Sequence, residues 1–501
     1  MIRDNYLNIV SGLEVKENLL VIKDSLKDRN KGGREKEALI FAINGDISKF
    51  VELLNNSDPK IRKNAAIVLG ILGIQEAAEP LFKAYSEDDI KYNKAAYVEA
   101  LRALDYSEYQ DALKKRYDEL RSNPISEDDK KHVLDEMKQL KAIFGTGKIE
   151  FTGYELLNEC VLTTNRNHKN LTAEAVGRLP HKEFTAGVMV KTKNLKQLRV
   201  IRTYDEMLFI PDSVKTVSFS AKEAAKELID GGIIKYITER LGYAGEKAEN
   251  REISTVKFRI DLRADKETKD SDFSKKLAGE LEILSNWKLT NSTSDYDVEI
   301  RLVKNSSGNL NVLVNFALLK DGRFTYRKES IAATVKPYLA ATLVELAHPY
   351  FRKNAAVLDP FCGVGTLIAE REIAGNARIY YGIDIFGEAI EKAKTNLKLA
   401  GVLRKTELIN KDFFAFSHDY KFNEVITEMP FETASKSSKD IESIYSSFFA
   451  KIRSLLEKDA VLIIYTRNPE YVKSYGELND FKIRENFEIS KFENSYLMIL
   501  E

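Results

Sequence analysis

The sequence predicts a multidomain chain: an N-terminal α-solenoid over 1–145, a central α+β region over 150–330 and a C-terminal doubly wound α/β domain over 331–501 that ends in an antiparallel hairpin. Three observations carry this. A chain of 501 residues exceeds one compact domain. An apolar helical pattern recurs in the first third. In the last third, short apolar strands alternate with helical stretches, which argues for a parallel sheet with helices on both faces.

Composition narrows the function. Apolar residues make up 44%, enough for globular cores. Lysine plus arginine equals aspartate plus glutamate at 77 each, so no global field recruits nucleic acid and any such surface must be local. Cys160 and Cys362 lie far apart, which excludes a disulfide framework and a cysteine-rich zinc site and points to a reducing cytoplasm. No metal site is expected. No apolar run reaches membrane-spanning length, and the start Met1-Ile2-Arg3-Asp4-Asn5 is no secretory signal.

In the solenoid, Asp58-Pro59-x-Ile61-Arg62-x-x-Ala65-Ala66-x-x-Leu69-Gly70 is echoed about thirty residues later by Ile90, Ala95, Ala96, Val98, Leu101 and Leu104. Leading helices are expected at 46–54 and 77–85. This pattern resembles HEAT repeats, stacked helix pairs whose concave surface commonly takes a protein partner. Asp111 to Leu140 is highly charged and reads as solvated linking helices.

In the central region, strands are expected at 160–166, 187–190, 199–201, 255–263, 297–302 and 310–318, with helices at 172–179, 221–241 and 275–286. Lys191, Lys193, Lys196, Arg199 and Arg202 form a basic stretch. Lys257, Arg259, Asp261 and Arg263 share one strand face. Both are candidate phosphate contacts.

The C-terminal domain is organised around Val357-Leu358-Asp359-Pro360-Phe361-Cys362-Gly363-Val364-Gly365-Thr366. It reads as a buried strand, a tight turn and a helix start. Gly363 and Gly365 let the backbone turn sharply and approach a ligand. About twenty residues on, the strand 379–385 contains Asp384, a spacing that suits a carboxylate on a ribose diol. The third glycine of the dinucleotide fingerprint is absent, and no Walker lysine follows the loop. A nucleoside without pyrophosphate fits better, with S-adenosylmethionine the leading candidate; a dinucleotide or a structural turn remains open. Further strands are expected at 406–410, 423–428 and 460–466, helices at 388–400, 440–457 and 469–476, and the final pair at 481–490 and 495–500.

Val161-Leu162-Thr163-Thr164 with the helix at Thr172-Ala173-Glu174 resembles the opening of THUMP-containing RNA methyltransferases. So does the strand-helix-strand run ending at Arg323-Phe324-Thr325-Tyr326-Arg327-Lys328, and the Ala332-to-Leu343 segment resembles the one that enters the catalytic domain in that family. Asp359-Pro360-x-Cys362-Gly363-x-Gly365-Thr366 is similar to that family's cofactor loop and is the most specific match. The chain departs from the pattern at Asn167-His168-Lys169, where the family has Gly-Leu-Glu. The resemblance implies a Rossmann-like class I methyltransferase fold that uses S-adenosylmethionine to methylate the guanine N2 amine of tRNA or rRNA, with an RNA-binding THUMP-like module. It implies that the 332–343 segment packs over the cofactor. Asp359, Phe361, Cys362, Gly363, Gly365 and Thr366 would form the cofactor loop. Asp384 and Ile385 would meet the ribose, and Asp412 and Phe413 the adenine.

The strand at 423–428 runs into Glu428-Met429-Pro430-Phe431, where the family has Asn or Asp, then Pro-Pro-Tyr or Pro-Pro-Phe. The chemistry needs such residues because an exocyclic amine is a poor nucleophile. An acceptor side chain and a proline carbonyl take its hydrogens while an aromatic ring stacks the base. Glu428, Pro430 and Phe431 are therefore the candidate catalytic residues, with Glu428 and Met429 as departures. The rival expectations are a methyltransferase-like scaffold and a protein methyltransferase recruited through the solenoid.

Overall fold

The computed structural model describes residues 2–28, 32–122, 129–144, 149–244, 253, 255–264, 272–331, 334–433 and 437–501. Its contacts divide the chain into two units, Met1–Glu150 with Val217–Leu310, and Phe151–Thr216 with Asn311–Glu501. The stretch read from sequence as one central region is thus shared between them.

In the first unit, helices Ile2–Val10, Val15–Lys27 and Gly32–Ile43 precede three helix pairs: Ser48–Leu53 with Pro59–Leu72, Ala78–Glu87 with Lys91–Leu101, and Gln110–Ser122 with Lys130–Phe144. The Asp-Pro signature explains its helix start. The Asp58 carboxylate accepts from the Lys60 N–H, and Pro59 occupies the first turn. One repeat later, buried Asp88 accepts two bonds from Arg62 of the preceding repeat and one each from Asn93 and Tyr97. Burial opposes its charge, but these bonds hold its carboxyl well below the usual range. The 111–140 stretch departs from the expectation of solvated linkers. Its helically spaced Leu113, Tyr117, Leu120, Val133, Met137 and Leu140 are buried in the solenoid core, which also takes in Trp287. Charge covers the outer faces of this last pair, except for Glu136, which is buried and accepts from Tyr85 and Arg116.

Gly70 sits where Pro59–Leu72 crosses Lys91–Leu101, and an added Cβ would lie 2.6 Å from the Ala100 Cα. Gly70→Ala is expected to cost about 1–3 kcal/mol through overpacking, read as a lower melting temperature.

The 217–310 part of this unit contains parallel strands Val256–Arg263, Leu289–Asn291 and Val298–Lys304. The strand face expected to meet phosphate is neutralised from within. Lys257 pairs with Asp295, Arg259 with Glu299, and Arg263 with Asp261.

In the second unit, an antiparallel sheet runs in the order His181–Phe184, Gly187–Thr192, Asn158–Thr164, Tyr204–Phe209 and Leu310–Phe316. The strand expected at 199–201 is instead a turn after a short helix, Leu195–Leu198. Leu195, Leu198 and Ile201 are all buried, three residues apart, while Val200 is exposed, so helical spacing overrides the β-branched pair. Arg202, another candidate phosphate contact, is spent internally. It makes two bonds to buried Glu370, which Tyr326 also donates to.

The C-terminal sheet has seven strands: β1 (Ala356–Asp359), β2 (Ile379–Asp384), β3 (Thr406–Asn410), β4 (Phe422–Glu428), β5 (Leu456–Thr466), β6 (Ile483–Ser490) and β7 (Ser495–Leu500). Their order is β3-β2-β1-β4-β5-β7-β6. The first five are parallel, and β7 inserts antiparallel between β5 and β6. The helices are α1 (Pro337–Ala347), α2 (Thr366–Ala374), α3 (Gly387–Leu399), α4 (Ser438–Ile452) and α5 (Pro469–Leu478). Successive strand residues face opposite layers. Val461, Ile463 and Tyr465 pack with α1–α3, while Leu462 and Ile464 pack with α4 and α5. This double burial is why the strands read as continuous apolar runs. α4 stops five residues short of the expected 457, and β5 starts at Leu456, where Leu456 pairs with Phe422.

Arg371 and Glu424 form an ion pair that is almost wholly buried, and Glu424 also accepts from the Arg352 N–H. Glu424→Leu is expected to destabilise the protein by about 3–5 kcal/mol, because it strands a buried guanidinium; urea melts would measure it. No helix among the described residues is long and apolar enough to cross a membrane. Cys160 and Cys362 are buried free thiols.

Candidate active site

Four loops leave the carboxyl ends of β1, β2, β3 and β4, the edge where ligands bind in open parallel sheets. They enclose a cavity of about 540 Å³. Asp359, Phe361, Cys362, Gly363 and Thr366 line it from the first loop, and Asp384 and Ile385 from the second. Asp412 and Phe413 line it from the third, and Glu428, Pro430 and Phe431 from the fourth. Of the predicted residues only Gly365 does not line it. Gly365 instead caps α2 at φ 78°, where an added Cβ would press on Leu397 at 3.0 Å.

The turn is built by its backbone. Gly363 adopts φ 52°, a left-handed conformation glycine takes at little cost. Its N–H donates to Asp384 Oδ2 at 3.0 Å, and the Phe386 N–H donates to Asp384 Oδ1 at 2.8 Å. The Asp384 carboxylate is thus oriented by two loops and keeps further lone pairs for a ligand. Asp412 is held similarly, accepting from the Phe414 N–H at 2.9 Å. Phe413, expected to bear on an adenine ring, is buried and packs edge-on against Phe361. Ile385 and Phe386 leave large apolar surfaces exposed beside Asp384. Phe386 was not anticipated from the sequence; an aromatic directly after the Asp384-Ile385 strand end is the signal that marks it.

Asp359 lies beneath the loops, 1% exposed, accepting from the Thr427 hydroxyl at 2.9 Å and the Phe361 N–H at 3.2 Å. Burial pushes its carboxyl up to about 7, those two bonds pull it down, and Asp384 and Glu428 push it up further. Burial likewise raises the Cys362 thiol well above its ordinary value.

Glu428 ends β4. Its Oε2 accepts from the Val335 N–H at 3.1 Å. Burial pushes its carboxyl up to about 7, opposed by the Val335 bond and the charges of Arg467 and Arg327. The Arg467 guanidinium stacks on the Phe431 ring at 3.9 Å. Thr334 and Val335, from the 332–343 segment expected to pack over the cofactor, line the cavity together with the preceding Ile331; Ala332 and Ala333 lie outside the described residues.

Charge decides what the cavity accepts. Four carboxyls line it, and no lysine, arginine or histidine does among the described residues. Pyrophosphate would be repelled, whereas a cation is favoured. Thr334 and Thr366 also keep buried hydroxyls that find no hydrogen-bond partner among the described residues. These features fit a positively charged nucleoside without phosphates. Among the described residues no cluster of three or more acids, histidines or cysteines is placed to hold a metal ion.

Comparison with known proteins agrees with this geometry. Residues 325–491 match the family model described as RMKL-like, methyltransferase domain, and residues 47–123 match HEAT repeats. The tRNA (guanine(10)-N2)-dimethyltransferase of Methanothermobacter thermautotrophicus is 27% identical over 156 residues, 31% of this chain and 44% of that protein. The U6 snRNA (guanine-N(2))-methyltransferase THUMPD2 of Mus musculus is 33% identical over 94 residues, 19% of this chain and 18% of that protein. The chain therefore spans less than half the length of these relatives. In fold, a possible methylase from Clostridium difficile 630 superimposes with a TM-score of 0.50 at 14% identity, covering 69% of this chain and 97% of that one. Residues 325–491 are thus similar to the RMKL-like methyltransferase-domain family, and residues 47–123 before them to HEAT repeats.

Proposed function

We propose that this protein is an S-adenosylmethionine-dependent methyltransferase acting on the N2 amine of guanine in RNA. The observation that carries the reading is the shared cavity. Asp384 and Asp412 face the same 540 Å³ space as Glu428, Pro430 and Phe431, in a lining rich in acid and, among the described residues, free of cations.

In this reading Asp384 accepts from the ribose diol and Asp412 from the adenine amine, with Phe361, Ile385, Phe386 and Phe413 forming the apolar walls. Bound there, S-adenosylmethionine supplies a methyl group on a sulfonium centre, and the surrounding carboxyls favour that positive charge. Glu428 selects the acceptor. The Watson–Crick edge of guanine presents two neighbouring donors, N1–H and N2–H, which suit a carboxylate with two acceptor oxygens. Adenine and cytosine pair their amine with a ring acceptor, which an ionised Glu428 repels. The Phe431 ring supports the base, and Glu428 takes hydrogen bonds from the amine and aims its lone pair. Glu428 receives the proton released on transfer.

The names of two relatives, each a guanine-N2 methyltransferase of an RNA, support this reading over a scaffold. The test is to incubate the full chain with methyl-labelled cofactor and total RNA and protein, then separate the fractions. Label in RNA supports the reading. Cofactor binding with label in neither fraction supports the scaffold, and label in protein alone supports protein methylation.

A further inference from the structure

Beside the active-site cavity lies a groove of about 790 Å³. Its walls are the loop after strand Asn158–Thr164, the start of α1, and the turn between β6 and β7. Both sides are fixed to each other. Asn165 Nδ2 donates to the Ile489 carbonyl at 2.9 Å, Asn167 Nδ2 to the Glu488 carbonyl at 3.0 Å, and His168 Nε2 lies 2.9 Å from that same carbonyl. Two of the three residues that depart from the family's Gly-Leu-Glu, Asn167 and His168, are therefore part of this clamp.

Groove residues bond to the active-site loop and to its neighbour Arg467. Tyr465 lines it, and the Tyr465 carbonyl accepts the Met429 N–H. Glu493 also lines it and lies 3.8 Å from Arg467, the residue stacked on Phe431.

Its chemistry is that of a nucleic-acid strand site. Phe492, at the tip of the β6–β7 turn, is 99% exposed and so contributes nothing to the core. Lys491 adjoins it and Arg166 lies on the other wall. Both are exposed and enter no ion pair among the described residues. Tyr338 adds a second ring. An open aromatic flanked by cations suits a base face and its phosphates. Among the described residues no cation lines the cavity itself to meet a phosphate. Arg202 and the Lys257–Arg263 face are already paired with carboxylates.

We infer that this groove binds the single-stranded RNA segment adjoining the target nucleotide, with Phe492 stacking on a base and Arg166 and Lys491 contacting phosphates. The inference rests on the RNA reading of the active site.

The test measures anisotropy of a short fluorescein-labelled single-stranded oligoribonucleotide of mixed sequence against the full chain, alongside cofactor titration and labelled transfer to RNA. Phe492→Ala is expected to weaken oligonucleotide binding about ten-fold and to raise KM for RNA with kcat kept, while Phe492→Tyr retains both. Arg166→Gln and Lys491→Gln are each expected to flatten the salt dependence of binding by about 0.7 in log–log slope. S-adenosylmethionine affinity stays unchanged in all four variants. If the wild type labels RNA and Phe492→Ala binds and labels it equally well, the groove inference is overturned and the active-site reading stands. If the wild type binds cofactor but neither labels RNA nor binds the oligonucleotide, both fall. Label entering protein, and reduced by Phe492→Ala, makes the groove a polypeptide site and overturns the inference.

Discussion

Replacing Glu428 with glutamine is expected to lower kcat for methyl transfer about 100-fold or more while leaving S-adenosylmethionine affinity unchanged. Glutamine keeps the shape and can still accept from the Val335 N–H, so the loop geometry survives. It loses the second acceptor oxygen and the negative charge, and turns an amide N–H donor toward the guanine N–H edge instead. The pH dependence follows from the same carboxyl. Its value is raised to about 7, and in the proposed mechanism the ionised form is the acceptor, so kcat/KM of the wild type should rise as pH increases through 7. That rise should be much reduced in Glu428→Gln; any rise that persists there belongs to Asp359, raised to about the same value.

Stability runs in the opposite direction. In the folded protein Glu428 holds its proton above 4.5, its ordinary value, whereas the unfolded chain releases it there. The carboxyl therefore costs stability increasingly as pH climbs from about 4.5 to 7. The melting temperature of Glu428→Gln relative to wild type should shift upward between pH 5 and pH 8. An enzyme that gains stability on losing this carboxyl while losing turnover would identify Glu428 as a residue held at a cost for its chemistry.

The second large effect belongs to Asp384. Asp384→Ala is expected to weaken S-adenosylmethionine binding by at least about 100-fold, measured by calorimetry. Two charge-assisted bonds to a ribose diol are each worth about 1.5–3 kcal/mol. The alanine also releases the Gly363 and Phe386 N–H groups that orient the turn. Asp384→Asn keeps an acceptor for one of them and should fall between alanine and wild type. Wild-type affinity in the alanine variant would remove the ribose role from Asp384.

The catalytic sheet was legible because each parallel strand is a short apolar run that ends where a ligand loop begins. Asp359, Asp384, Asp412 and Glu428 sit at or just beyond strand ends, so their convergence follows from the βαβ repeat. Where local signals mislead, the tertiary partner decides. Glu457, Lys458 and Asp459 look like a helix tail, yet β5 already begins at Leu456, which pairs with Phe422. The 111–140 helices look solvated because their charge is conspicuous, while Leu113, Tyr117, Leu120, Val133, Met137 and Leu140 are buried. Contacts between distant stretches carried no sequence signal. Examples are Arg202 with Glu370, Val335 with Glu428, and Asn167 with Glu488, which is 321 positions away. The basic stretch at 191–202 illustrates the same limit, since nothing local distinguishes an exposed lysine from an arginine committed to a buried glutamate.

The central claim is that the acid-lined cavity and the Glu428 loop together methylate guanine N2. The direct measurement is to incubate the full chain with total RNA and methyl-labelled S-adenosylmethionine, digest the RNA to nucleosides and resolve them by chromatography. The label should run as N2-methylguanosine or N2,N2-dimethylguanosine and fall sharply with Glu428→Gln. Label on adenosine or cytidine, or label unchanged by that substitution, would contradict it.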